Sequence, residues 1–148
     1  MRVEQSRATG WTAWVLFGGL LLVLLGTVHL CIGLLALARP EALAGSRSDA
    51  LLPVSMTALA WLHLILGVTA VVTGVGLVRG LVWARVIAAV LAVLAALVNF
   101  VFAAAHPVWS IIAVPLAGII LFAVTAHGAE IADAYGTEAA EVPGTYRP

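Results

Sequence analysis

Charged residues divide this chain into three long stretches that carry none: Ala8 to Ala38, Ala50 to Val78, and Val86 to Ala129. A helix crossing a hydrocarbon core of about 30 Å needs about 20 apolar residues. The first two stretches each hold one crossing, and the third holds two because His106-Pro107 interrupts it. Pro107 has no amide hydrogen and disfavours helix at the residue before it, so Ala105-His106-Pro107 reads as a tight turn at the membrane surface. The pattern predicts helices over 12–38, 53–78, 82–105 and 108–127, an all-α four-helix transmembrane bundle spanning 12–127. Pro40 and Gly80 mark the ends of the first two helices, and Pro53 suits a first helical turn. Pro115 falls inside the fourth helix and is expected to kink it, as membrane helices tolerate. Residues 1–11 form a short leading segment, and 128–148, with Gly136, Pro143, Gly144 and Pro148, read as a short helix end followed by a largely flexible tail.

Composition sharpens this picture. The chain is 64% hydrophobic and 9% charged, whereas a soluble domain carries about 25% charged residues. That excludes a soluble globular protein. Seven acidic residues balance seven basic ones, all of them Arg, with no basic stripe to neutralise phosphates, so nucleic acid is excluded as a partner. A single cysteine, Cys31, rules out an intrachain disulfide and a Cys-x-x-Cys redox pair. Ala36-Leu37-Ala38 resembles a signal cleavage site, but the apolar run before it exceeds the roughly 7–15 residues of a signal core, so the first span is expected to stay.

Arginines near helix ends set the expected orientation. Arg2, Arg7, Arg79 and Arg85 lie on one side of the bundle and Arg39 and Arg47 on the other, which places both termini in the cytoplasm of a multi-pass cell-membrane protein. Trp11, Trp14, Trp83 and Trp109 fall near the span ends, where indoles favour the headgroup region. Arg79, Trp83 and Arg85 read as a cytoplasmic lipid interface, either as snorkelling anchors or as contacts to anionic headgroups.

Polarity inside the spans is sparse and concentrated. His29-Leu30-Cys31-Ile32-Gly33 and His63-Leu64-Ile65-Leu66-Gly67 share the phrase His-Leu-x-x-Gly. Helical rise puts both histidines about 14 Å below the outer surface and Asn99 about 9 Å below it. Ionisable groups at such depth are costly and raise a functional question. Two neutral imidazoles could ligate a haem iron or a transition metal, and His29 and His63 are the candidate cofactor ligands. Equally, His63 and Asn99 could hold helices together by interhelical hydrogen bonds. No cofactor or metal is assigned on this pattern alone. His127 and Glu130 stand three apart on the fourth helix, and His106 with Ser110 is the one nucleophile and base pairing on the outer side.

Small residues recur every seven positions: Gly19, Gly26 and Gly33 in the first helix, Ala60, Gly67 and Gly74 in the second. This spacing keeps them on one face and lets backbones approach closely, so Gly26, Gly33, Gly67 and Gly74 are read as helix-packing positions. Ala88, Ala92, Ala95, Asn99 and Ala103 continue the pattern in the third helix.

The segments Trp61-Leu62-His63-Leu64-Ile65-Leu66-Gly67, Gly80-Leu81-Val82-Trp83-Ala84-Arg85, Pro107-Val108-Trp109-Ser110 and His127-Gly128, in this order, resemble a family of small four-helix membrane proteins of unknown function found mainly in actinobacteria. The resemblance spans about Trp14 to Gly128. It implies four spans and no activity, and its recurring positions match His63, Trp83, Arg85, Trp109 and His127 but not His29.

The residues therefore predict a non-enzymatic accessory or assembly protein that acts through helix packing, with the bilayer as its medium and a membrane protein or a second copy as its partner. A homo-oligomeric transporter or channel is the alternative, weakened by the absence of Asp or Glu within any span, and a bis-histidine haem or metal protein is a third reading.

Overall fold

A computed structural model describes residues 10–39 and 55–140, with side chains through Gly128. Four helices follow one another: α1 (Gly10–Ala38), α2 (Met56–Val78), α3 (Val82–Val101) and α4 (Pro107–Ala140). All four are long and apolar enough to cross a membrane, and no strand occurs among the described residues. Neighbours in sequence pack as neighbours in space, and α4 returns against α1 to close the ring. The start of α1, the α2–α3 turn and the far part of α4 share what is called here the basal end; the α3–α4 turn lies at the distal end.

Several boundaries differ from those the pattern predicts, each for a local reason. The second helix starts at Met56 because Ser55 caps it, its hydroxyl accepting from the Ala58 amide at 3.1 Å. Pro53 lies outside the described residues, as do 1–9, 40–54 and 141–148. The third helix ends at Val101 rather than 105, since residues 102–105 form a turn in which the Ala105 and His106 amides both donate to the Phe102 carbonyl at 3.0 Å. Pro107 then opens α4, where a missing amide hydrogen costs nothing. That helix runs past 127 to Ala140 because alanine, the strongest helix former, is the commonest residue of its continuation and no proline follows before Pro143. Pro115 lies inside it, as expected.

The α2–α3 turn is a Schellman cap. Gly80 adopts φ 71°, the Gly80 amide donates to the Leu77 carbonyl at 3.0 Å, and the Leu81 amide donates to Gly76 at 2.9 Å.

The most extensive contact joins α1 and α2, along the seam of seven-residue steps. A Cβ placed on Gly26 would lie 2.7 Å from the Gly67 carbonyl oxygen, and one on Gly67 would lie 2.8 Å from the Gly26 oxygen. One step towards the base, a Cβ on Gly74 would lie 2.5 Å from the Gly19 oxygen. One step distally, a Cβ on Gly33 would meet Leu64 at 2.7 Å and the Ala60 oxygen at 3.0 Å. The antiparallel helices thus touch backbone to backbone at three successive levels.

The central core is basal. Val15, Leu77, Ala84, Ala88, Ala123 and Val124 bury one another, with Trp11, Leu22 and Ile120 packed against them. No α3 residue beyond Ala88 is buried. The two hairpins, α1–α2 and α3–α4, are therefore locked together at the base and lightly covered distally.

The seam predicts an ordering of glycine substitutions. Gly26→Ala and Gly67→Ala each force backbone apart and should cost about 1–3 kcal/mol. Gly118→Ala, with open space around its Cα, should be neutral or gain up to about 1 kcal/mol. Thermal melts in one detergent check this; equal melting temperatures for all three would remove the seam as the main support. In the same assay Gly80→Ala should cost about 1 kcal/mol through its left-handed backbone.

Candidate functional site

Within the spans, five polar side chains are satisfied by their own helix. Thr27, His29, His63, Asn99 and Thr125 each donate to the carbonyl four residues back, at 2.7 to 2.9 Å. For the histidines the donor is Nδ1, bonded to the Leu25 oxygen in α1 and the Leu59 oxygen in α2, both at 2.9 Å. A carbonyl only accepts, so the neutral rings carry their proton on Nδ1 and a lone pair on Nε2. Neither Nε2 has a hydrogen-bond partner among the described residues.

The two imidazoles are neighbours. Their centroids stand 5.3 Å apart with planes inclined by 26°, a stacked arrangement. The seam register explains why: Gly26 meets Gly67 and Gly33 meets Ala60, so His29 and His63 fall at one level between these contacts. They also share a stripe. Val15, Leu22, His29 and Ala36 follow at steps of seven on α1, and Leu77, Ala70, His63 and Met56 do so on α2. The basal members Val15 and Leu77 are core, so the half-buried histidines continue the face of the α1–α2 hairpin that meets α3 and α4 at the base.

Two expected interhelical contacts take another form. His63 and Asn99 do not bridge helices by their side-chain hydrogen bonds, because a carbonyl of the same helix lies within reach of each. His63 meets α1 through its ring instead. Asn99 links α3 to α4 through its backbone, whose carbonyl accepts from Ser110 Oγ at 2.9 Å. That bond also dissolves the His106 and Ser110 pairing: Ser110 is buried and directed at Asn99, while His106 is exposed in the turn. Only the Ser110 amide reaches His106, at its carbonyl.

The basal end holds a second cluster. Arg85, in the first turn of α3, lays its side chain over Gly128 of α4, where a Cβ would collide with its Cδ. Its Nε is buried and has no hydrogen-bond partner among the described residues. Arg79 caps α2 and is exposed, and the Trp83 ring rests on Gly76. Trp11 stands edge-on to Phe122 at 4.9 Å and to His127 at 5.2 Å, so this indole packs between α1 and α4 at the basal end. Ser110, Trp11 and Phe122 carry structural contacts that the hydrophobic pattern does not single out; for Phe122 the only signal is its position five residues before His127. The Glu130 side chain, expected beside His127, lies outside the described side chains.

No curated protein and no solved structure matches this chain. A family model described as a domain of unknown function, DUF7144, matches residues 14–129, from the second turn of α1 to just past Gly128. That range covers α1 from Trp14 onward, the other three spans and both clusters apart from Trp11, and the chain belongs to the DUF7144 family.

Proposed function

We propose that this multi-pass membrane protein is a non-enzymatic assembly or accessory subunit that associates through α3. The observation that carries this reading is the small-residue stripe of that helix. Ala88 is buried in the basal core, whereas Ala92, Ala95 and Asn99, its continuation at helical steps, are half-buried, as is Ala103 in the turn that follows the helix. Small residues in a membrane helix serve close approach of another helix. The glycines Gly26, Gly33, Gly67 and Gly74 are spent inside the α1–α2 hairpin, so the stripe on α3 is the close-packing face left for a second chain.

Both termini are placed in the cytoplasm by the arginine distribution, which puts Arg79, Trp83 and Arg85 at the inner leaflet. There the exposed Arg79 and the half-buried Arg85 guanidinium beside it suit anionic headgroups, at about 1 kcal/mol per cation.

Cross-linking tests the association. In a Cys31→Ser background, cysteines at positions 92 and 95 should cross-link to a neighbouring chain in native membranes, while cysteines at the exposed positions 93 and 97 should not. Equal yields at all four positions would refute an α3 interface. For the lipid surface, native mass spectrometry should show phosphatidylglycerol retention reduced about fivefold for each of Arg79→Gln and Arg85→Gln, with retention unchanged in both variants as the contrary result.

A further inference from the structure

We propose that the stacked pair His29 and His63 is a receptor for an uncharged phenol or hydroquinone carried on an apolar tail, whose hydroxyl donates to the Nε2 of one ring. Each imidazole uses its Nδ1–H on a carbonyl of its own helix, at 2.9 Å, so the lone pair on Nε2 is the only polar group left to it. Neither lone pair has a hydrogen-bond partner among the described residues. The ring planes are inclined by only 26°, and each lone pair lies in the plane of its ring, so the two do not converge on one atom. The pair is thus no chelate for a metal ion or a haem iron, the ligand role that the sequence leaves open, and each ring is an acceptor in its own right.

An acceptor left bare in hydrocarbon is costly, and the surroundings offer little to cover it. His29 lies nine residues from the distal end of α1 and His63 seven from that of α2, about 10–14 Å into the span. Headgroup donors lie outside the hydrocarbon core and so above this level. Hydroxyls on a neighbouring helix are a poor source, because a serine or threonine in a span uses its one hydrogen on the carbonyl a turn back, as Thr27 and Thr125 do here. The donor that fits is one dissolved in the membrane, to which the half-buried rings are open.

Acidity narrows the class. A carboxylic acid, with a pKa of about 4, would protonate an imidazole and leave an ion pair in hydrocarbon. A phenol, with a pKa of about 10, keeps its proton and stays uncharged, while donating more strongly than an aliphatic alcohol. Its flat apolar ring suits the place as well: the imidazoles stack at 5.3 Å, and Leu30 and Leu64, wedged against Gly67 and Gly33, make the flanks apolar. Gly26–Gly67 on one side and Gly33–Ala60 on the other fix the spacing of the two helices, so the acceptors are in place before a ligand arrives.

The test uses the full chain in detergent micelles, with para-nonylphenol as the probe and para-nonylanisole, which has the same ring and tail but no donor, as its control. Native mass spectrometry should show wild type and Cys31→Ser retaining the phenol about tenfold over the ether, the equivalent of one hydrogen bond. The double variant His29→Phe/His63→Phe should retain both alike. Equal retention by wild type, or a preference for the phenol that survives in the double variant, overturns the site. Nitrogen NMR on histidine-labelled wild type keeps the test open if that variant does not fold. The Nε2 signals of His29 and His63 should stand where a bare lone pair puts them, and at least one should move on addition of the phenol and not of the ether. Signals that the phenol leaves unmoved, or that already stand at the hydrogen-bonded position before it is added, as a partner helix or water would leave them, refute the proposal.

Discussion

The contact between α1 and α2 at Gly26 and Gly67 sets the positions of nearly everything else in this protein. Lipid tails are as apolar as the side chains they surround, so two membrane helices gain little from hiding hydrophobic surface and much from fitting closely. Here the fit is reciprocal: each glycine leaves room for the other's carbonyl oxygen, and the same arrangement repeats seven residues away in either direction. A seven-residue step keeps the seam on one face over four turns, which fixes the register of the hairpin to the residue. The level pairing of His29 with His63 is a consequence of that register and needs no attraction between the rings.

A second constraint follows from the medium. Without water, each polar side chain in a span must find a partner, and the nearest acceptor is the carbonyl one turn back on its own helix. Thr27, His29, His63, Asn99 and Thr125 all take it. For threonine this satisfies the only donor. For histidine it satisfies one nitrogen and leaves the other as a lone pair with no hydrogen-bond partner among the described residues. Arg85 presents the opposite case: its side chain passes over Gly128, the only kind of residue that leaves space for it, and its Nε keeps an unspent donor at the basal end.

Much of this was legible in the chain. Helix number, the break at His106-Pro107 and the Gly80 stop follow from length, charge and two special residues, because a membrane span has few alternatives. The glycine seam was legible for the same reason, its period being short and its residues unlike their neighbours. Less could be read of the polar groups. The depth of His29 and His63 was computable from helical rise, but whether they face each other depends on the rotation of each helix, which the seam determines and hydropathy does not. Ser110 was read against His106, four residues away, and bonds instead to the Asn99 carbonyl across the turn. A hydroxyl's choice between a side chain and a backbone oxygen is settled by the turn's geometry, not by spacing. The pattern predicts only a short helix end beyond 127, and α4 extends to Ala140, because hydropathy marks where a membrane ends and says nothing of where a helix does.

The uneven distribution of packing gives the bundle two different halves. Basally, the core of Val15, Leu77, Ala84, Ala88, Ala123 and Val124 ties all four helices together, aided by the Trp11, Phe122 and His127 rings. Distally, α1 and α2 remain joined by glycine contacts, while α3 past Ala88 has no buried residue and packs along α4, with the Ser110–Asn99 hydrogen bond at the end of that contact. A bundle cored only at one end can part its hairpins at the other without breaking either hairpin. The histidine pair stands on the α1–α2 side of that division and the alanine stripe on the α3 side. Both are positioned where movement between hairpins, or the arrival of another helix, would change what surrounds them, while the seam keeps the spacing of the two rings constant throughout.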